Sequence, residues 1–363
     1  MAMQRQIAAG RDGRKRALPG GVIVPLLTPL DATGRIDERA AECLLDHVLG
    51  AGVDGVFILG STGEGDSLSQ ATQHRFAEFV ASVVKDRVPL LLGAMQPGTE
   101  TVIDFLKACP VPQAFRAAVV GVPYYRFLHC EAEVRDHFRR IHEATGMPLV
   151  VYNFPHPSSR VLTPDIVARL MEYEGIVGYK DSSGQLGELQ EFLVRRPARS
   201  DLCVYQGDPA LSLASLAIGC DGLIPGTANF IPAVFVELYR AFRTGDAATA
   251  TRCQAAVFRF RGFARVATPF RASGFHFSTF KAGLDVMGFG GGTPAPPYQA
   301  LPAALLPRLR EYFHAHGVLE QSARVLRARG RRVEGQALTL AAAVPRAVAS
   351  SQDLRTVEQE SPK

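Results

Sequence analysis

Eight short apolar runs recur between Gly20 and about Arg243, each followed by turn or polar residues. They are VIVPLLT (22–28), GVFILG (55–60), PLLLGAM (89–95), AAVVGVP (117–123), PLVVYNF (148–154), IVGYKDSS (176–183), LCVYQGD (202–208) and GLIPGTA (222–228). Continuous apolar runs of this length, as opposed to alternating ones, mark strands buried on both faces of a parallel sheet. The stretches between them open with helix-start signals. Asp37 precedes ERAAECLLDHVLG, Ser69 precedes QATQHRFAEFVASVV, and Thr163-Pro164 leads into DIVARLMEYEG with proline in the first turn. Eight strands spaced mostly by roughly 20 to 35 residues predict an α/β fold, a (β/α)₈ barrel of the TIM type. The alternative, an open doubly wound sheet, usually has fewer strands and an early GxGxxG turn.

Three further helical stretches follow the eighth unit, at 246–268, 277–288 and 300–317, and predict a C-terminal helical cap. The last two are separated by GFGGGTPAPP (288–297). That glycine run neither follows a strand nor directly opens a helix, so it reads as a linker and not as a phosphate cradle. The expected organisation is a basic, disordered extension at 1–19, the barrel at 20–243, the cap at 244–320, and a second basic, disordered extension at 321–363 with room for one helix.

With 47% hydrophobic and 21% charged residues, the 363-residue chain has the composition of an ordinary globular protein. Its net charge of +5 changes the picture only once it is located. Residues 1–17 carry +4 and residues 321–363 another +4, leaving −3 for everything between. Basicity confined to tails fits solvated segments better than a nucleic-acid arm. No apolar run reaches the ~18 residues of a membrane span, and no apolar h-region follows the basic N-terminus. Neither nucleic acid nor membrane is therefore expected as a partner. The six cysteines (Cys43, Cys109, Cys130, Cys203, Cys220 and Cys253) form no CxxC and do not cluster with histidine. This argues against a disulfide framework or a zinc site and fits a reducing, cytoplasmic setting.

In a (β/α)₈ barrel the chemistry sits at the C-terminal strand ends. Those ends carry Ser61-Thr62-Gly63-Glu64, Tyr124-Tyr125, Tyr152-Asn153, Lys180-Asp181, Gly207-Asp208, and Ile224 with Thr227-Ala228-Asn229. Lysine is scarce, with 6 residues against 34 arginines. Lys15 and Lys363 lie in the tails, Lys85 and Lys107 at helix ends, and Lys281 on a cap helix. Only Lys180 follows an apolar strand and points into a barrel mouth. A buried lysine can lose its proton and form an imine, whereas arginine stays protonated. The bland alternative is a structural pair with Asp181 or Glu64. Tyr152 ends the adjacent strand, 28 residues earlier, and a phenol beside an ammonium or iminium can shuttle protons. Alone, such a tyrosine would read as an amphipathic rim residue. GSTGE (60–64) offers backbone N–H groups and two hydroxyls that suit a carboxylate, or else a plain turn with a helix cap.

Taken together, GSTGE, VPYY, VYNFP, VGYKDSSG, QGD and GLIPGTAN, in this order, resemble the dihydrodipicolinate synthase / N-acetylneuraminate lyase family of class I pyruvate aldolases. The resemblance runs from about Leu18 to Leu319 and includes TFKAGLDVMGF and LREYFHAHGVL near the C-terminal end. It implies a lyase in which Lys180 is the Schiff-base lysine and Tyr152 the general acid/base. Ser61 would relay protons with Tyr125, which in this family often reaches into a neighbouring subunit's site, so a dimer or a dimer of dimers is implied. Ser61 and Thr62 would hold the pyruvate carboxylate, and Gly207 and Ile224 would present backbone carbonyls to the lysine and the bound ketoacid. The iminium is the electron sink, so no metal or organic cofactor is implied, only a covalent imine on Lys180. One departure narrows the substrate. The synthase branch reads YN-x-P-x-R, but here Tyr152-Asn153-Phe154-Pro155-His156-Pro157 puts proline where that arginine grips the aldehyde's carboxylate. Arg160 follows three residues later, and it and His156 read as loop-surface residues. This favours cleavage or formation of a 2-oxo-3-deoxy sugar acid or another hydroxy-2-oxo acid. The alternatives are 4-hydroxy-tetrahydrodipicolinate synthesis from pyruvate and aspartate semialdehyde, and a non-catalytic 2-oxo-acid-binding or regulatory protein.

Overall fold

The computed structural model describes residues 18–154, 160–267 and 275–330. Eight strands form in the order the apolar runs predict: β1 (Gly21–Pro25), β2 (Gly55–Ile58), β3 (Leu90–Gly93), β4 (Phe115–Gly121), β5 (Leu149–Asn153), β6 (Ile176–Asp181), β7 (Cys203–Gln206) and β8 (Gly222–Leu223). Each pairs in parallel with the next, and β8 returns to β1 to close the barrel. Between them lie α1 (Glu38–Gly50), α2 (Gln70–Val84), α3 (Thr99–Lys107), α4 (Glu131–Thr145), α5 (Pro164–Leu170), α6 (Leu186–Arg195) and α7 (Ser212–Ala217), and α8 (Pro232–Thr244) follows β8.

The helix starts read from the sequence are made by real caps. Asp37 accepts a hydrogen bond from the Ala40 N–H at 2.9 Å, and Ser69 from Thr72 at 3.2 Å. Thr163 accepts from Ile166 at 3.4 Å, with Pro164 at the first helical position. Such caps are each worth about 1 kcal/mol because they satisfy donors that the helix cannot. Along the strands, outward side chains such as Val56, Ile58, Leu90, Val151 and Tyr179 pack under the helices. The inward set, including Ile23, Phe57, Leu91, Val119, Val150, Tyr152 and Tyr205, fills the barrel. Leu18 closes the N-terminal end of that inner cluster. Its carbonyl accepts from the Cys203 thiol at 3.4 Å, while the Pro19 carbonyl accepts from the Tyr205 hydroxyl at 2.6 Å.

The cap comprises α9 (Ala247–Arg261), α10 (Phe275–Val286), α11 (Leu306–Ala315) and α12 (Val318–Ala328), with a 3₁₀ turn at Gly262–Ala267. Phe230, just past β8, meets Phe260, Phe263, Phe280 and Phe313 of the cap at ring-centroid distances of 5.2 to 5.9 Å. This aromatic cluster fastens cap to barrel. The 288–297 loop packs back on the end of β1, where the Leu30 N–H donates to the Gly291 carbonyl at 3.0 Å. One expected boundary moves. The stretch from 321 was read as the start of a disordered extension, yet α12 runs through it to Ala328. Ser322, Ala323 and Leu326 are buried there, and Arg329 bridges to Glu42 and Asp46 of α1. Residues 1–17 and 331–363, and the Pro155–Ser159 loop with His156 and Pro157, lie outside the described residues.

Candidate active site

Lys180 and Tyr152 are direct register partners across β5 and β6, and Lys180 is also paired with Tyr205 of β7. The period of two along each strand turns both Lys180 and Tyr152 into the barrel. Each is only 4% exposed. The Lys180 ammonium sits 3.8 Å from the centroid of the Tyr152 ring and 5.0 Å from that of Phe57, so aromatic faces are its near neighbours. The two carboxylates that could have reduced Lys180 to a structural cation are engaged elsewhere. Glu64 pairs with Lys281 at 2.9 Å. Asp181, alternate along β6, faces outward and accepts from Asn153 at 2.8 Å and from Ser183 at 3.2 Å.

Burial pushes the Tyr152 phenol up, but the adjacent Lys180 charge and hydrogen bonding from Ser61, Ser182 and Lys180 outweigh it. The net result is a phenol below its ordinary value. Burial raises the pKa of Asp181 to about 6, against the hydrogen bonds it accepts from Ser183, Asn153 and Tyr179.

The structure brings most of the candidate residues together. Ser61 reaches the Tyr152 hydroxyl from the turn after β2. Thr62, beside it, faces the turn after β8: a Cβ added at Gly226 would stand 3.2 Å from the Thr62 hydroxyl. Gly207 donates its N–H to the Asp181 carbonyl at 2.6 Å, and Ile224 donates to the Gln206 carbonyl at 2.7 Å with its side chain in the inner cluster. Tyr125 is the exception. It is 82% exposed on the loop after β4, and within one chain it does not join the Tyr152–Ser61 group. Its neighbour Tyr124 is half-buried, with its hydroxyl toward the Met95 carbonyl at 3.5 Å. Phe154 lies against the Tyr152 ring, centroids 5.3 Å apart, and Arg160 is exposed.

Two features escaped the sequence reading. Ser182 lies against Tyr152, and Gly207 must lack a side chain because its Cβ would fall 1.9 Å from the Ser182 hydroxyl. The signal was present in KDSSG, but a serine after a strand is generic. Lys281, dismissed as a cap lysine, is fully buried on Glu64. Among the described residues, no group of three or more His, Cys, Asp or Glu side chains is placed to hold a metal ion, and no helix is long and apolar enough to cross a membrane.

A buried lysine on an aromatic face, a phenol of lowered pKa and a hydroxyl-bearing turn meet at the C-terminal ends of the strands, the end at which barrel enzymes of this fold carry their chemistry. The chain belongs to the dihydrodipicolinate synthetase family, whose model matches residues 18–311. It is 31% identical to a probable 2-dehydro-3-deoxy-D-pentonate aldolase of Escherichia coli, over 69% of this chain and 83% of that one. It is 36% identical to a 4-hydroxy-tetrahydrodipicolinate synthase of Methanopyrus kandleri, over 62% and 75% of the two chains. Among solved structures it is similar to a prophage protein of the dihydrodipicolinic acid synthase family from Escherichia coli, in complex with pyruvate. That match has 28% identity and a TM-score of 0.75 and covers 82% of this chain and 99% of the other. The protein is an enzyme, a pyruvate-dependent lyase of the aldolase kind.

Proposed function

We propose that Lys180 forms a Schiff base with the keto carbon of a hydroxy-2-oxo acid, and that the enzyme cleaves it reversibly to pyruvate and an aldehyde. The observation that carries this reading is the placement of Lys180: buried, over the Tyr152 ring, with both candidate carboxylates turned away. The lysine amine attacks the carbonyl and water leaves, giving an iminium. Tyr152 takes the proton from the substrate hydroxyl, the adjacent C–C bond breaks, and its electron pair passes into the iminium to give an enamine. Protonation and hydrolysis of the enamine release pyruvate. Ser61 relays the Tyr152 proton, Ser61 and Thr62 hold the substrate carboxylate, and Gly207 and Ile224 present backbone carbonyls to the lysine and the bound ketoacid. The imine serves as electron sink, with no further cofactor assigned.

Proline at 157, where the synthase branch has arginine, and the relative named as a pentonate aldolase both favour a polyhydroxylated aldehyde over aspartate semialdehyde. Several relatives are named as 4-hydroxy-tetrahydrodipicolinate synthases, and that condensation is the second reading. A catalytically silent 2-oxo-acid-binding role gains nothing from a phenol tuned by the lysine beside it. The exposed Tyr125 is a natural point for a second subunit to complete the site, and a cytoplasmic dimer or dimer of dimers is the proposed form.

The test is to incubate the protein with pyruvate, reduce with borohydride, and map the adduct by peptide mass spectrometry. A single pyruvate-derived modification on the Lys180 peptide is expected. No adduct, or one spread over surface lysines, would sink the reading. Screening 2-oxo-3-deoxy sugar acids against aspartate semialdehyde plus pyruvate then separates the two substrate classes.

A further inference from the structure

Glu64 and Lys281 form a buried ion pair near the barrel mouth, and the imine chemistry uses neither. Both side chains are sealed from solvent. Lys281, on α10, also donates to the Thr28 carbonyl and, at 3.1 Å, to the Thr293 carbonyl. The other Glu64 oxygen accepts the Ala295 N–H at 2.5 Å. Thr28 in turn donates its hydroxyl to the Gly63 carbonyl at 2.7 Å. The end of β1, the turn after β2, the cap helix and the 288–297 loop therefore meet at one ion pair.

That point is three residues from Ser61. The Glu64 N–H donates to the Ser61 carbonyl at 3.1 Å, and Glu64 itself holds a left-handed φ of 56°. A side-chain-bearing residue rarely adopts such a conformation unless its surroundings fix it. Stability alone is a poor account of the pair. Desolvation cancels much of the attraction between buried charges, and well-packed apolar replacements are often no less stable. What a buried ion pair tied by directed hydrogen bonds to Thr28, Thr293 and Ala295 does supply is geometry.

We propose that Glu64 and Lys281 are positioning residues that fix the Ser61–Thr62 turn against the Tyr152–Lys180 centre, which makes the C-terminal cap a working part of the active site. The proposal rests on Lys180 being the imine-forming group. It explains why an acidic residue next to a carboxylate-binding turn does not repel its ligand: the charge is turned away and neutralised from the cap side.

The test uses the full chain and the pyruvate–borohydride trap on Lys180. The variants are Glu64→Gln/Lys281→Met, which leaves no unpaired buried charge, and Thr28→Val, which removes the strut to Gly63 at nearly constant volume. Both are checked for folding by circular dichroism. The rate of imine trapping is expected to fall about ten- to hundredfold, as misplaced reacting groups cost, with a raised half-saturating pyruvate concentration. Loss of the Ser61 hydrogen bond should also move the Tyr152 limb of the pH profile upward. In a Ser61→Ala background the same substitutions should add little, because their effect travels through Ser61. Full additivity with Ser61→Ala, or unchanged trapping in variants that merely melt earlier, overturns the proposal while leaving the imine reading intact. If the double variant does not fold, Thr28→Val alone carries both outcomes. A native chain that forms no adduct overturns the imine reading and this proposal with it.

Discussion

An ammonium held 3.8 Å from the centre of a phenol ring changes what both groups can do. Burial opposes ionisation of Tyr152, and the Lys180 charge is the largest influence working the other way. In an absorbance titration the native protein should show a phenol ionising below its ordinary pKa, lost in Tyr152→Phe. Lys180→Met should move that transition upward; an unmoved transition would mean the lysine does not tune the phenol. In turnover, Tyr152→Phe should cost about 10²- to 10⁴-fold, the usual worth of a positioned proton donor or acceptor, read as kcat with the substrate identified by screening. Lys180→Arg should abolish borohydride trapping outright, since a guanidinium forms no imine. Lys180 was legible in the sequence because lysine is scarce here and only one lysine follows an apolar strand. The same elimination misjudged Lys281: helix membership says nothing about which neighbour covers a face. Ser182 was illegible for a related reason, since it reaches Tyr152 of the neighbouring strand only where Gly207, just past β7, leaves it room.

Two buried histidines on helices make the fold sensitive to acid. His47 of α1 is buried against the Phe230 carbonyl at 3.2 Å, and burial lowers its pKa to about 4. His137 of α4 spans Thr99 at 2.9 Å and the Gly121 carbonyl at 3.1 Å, and burial likewise lowers its pKa to about 4. The unfolded chain takes up these protons near pH 6.5, so the stability tied to neutral histidine is complete above that pH. It is lost as pH falls toward 4, on the order of 3 kcal/mol for each residue. Asp181 runs the other way, because its raised pKa of about 6 relieves a penalty as pH falls from 6 toward 3.8. Burial raises Asp54 and Asp285 in the same direction as Asp181, so the histidine contribution is isolated by substitution and not read from the overall pH dependence. His47→Gln, whose amide can still donate to Phe230, should lose less stability between pH 7 and 4.5 than the native protein. Denaturant midpoints at the two pH values would show it, and an equal loss in both proteins would refute the assignment. At this scale the sequence was most readable. Caps at Asp37, Ser69 and Thr163 act within one turn, so local residues suffice to place them. A helix was allowed for in the C-terminal stretch but not placed, because the packing of α12 depends on α1, nearly 300 residues earlier in the chain.

For the whole molecule, the question is where the folded unit begins and ends relative to its basic tails. Tail charge and barrel charge have opposite sign, yet the first described residues are apolar and are built into the barrel floor. Leu18 is 2% exposed within the inner cluster, and the Pro19 carbonyl anchors Tyr205, the β7 register partner of Lys180. The floor therefore connects the N-terminal segment to the lysine layer through one side chain. Removing residues 1–17 and 331–363 should leave pyruvate trapping and thermal stability unchanged, whereas cutting at 320 removes α12 and should not. Removing 1–19, or substituting Leu18→Ala, should lower stability by about 2 kcal/mol or more, the cost of emptying a packed apolar site. Because Tyr205 loses its anchor only in the 1–19 deletion, that variant should also trap pyruvate more slowly than Leu18→Ala at equal stability. Thermal melts and trapping rates on the four proteins separate these effects. If deletion of 1–17 alone slowed trapping, the basic tail would belong to the site, and the boundary between folded unit and extension would have to move toward the N-terminus.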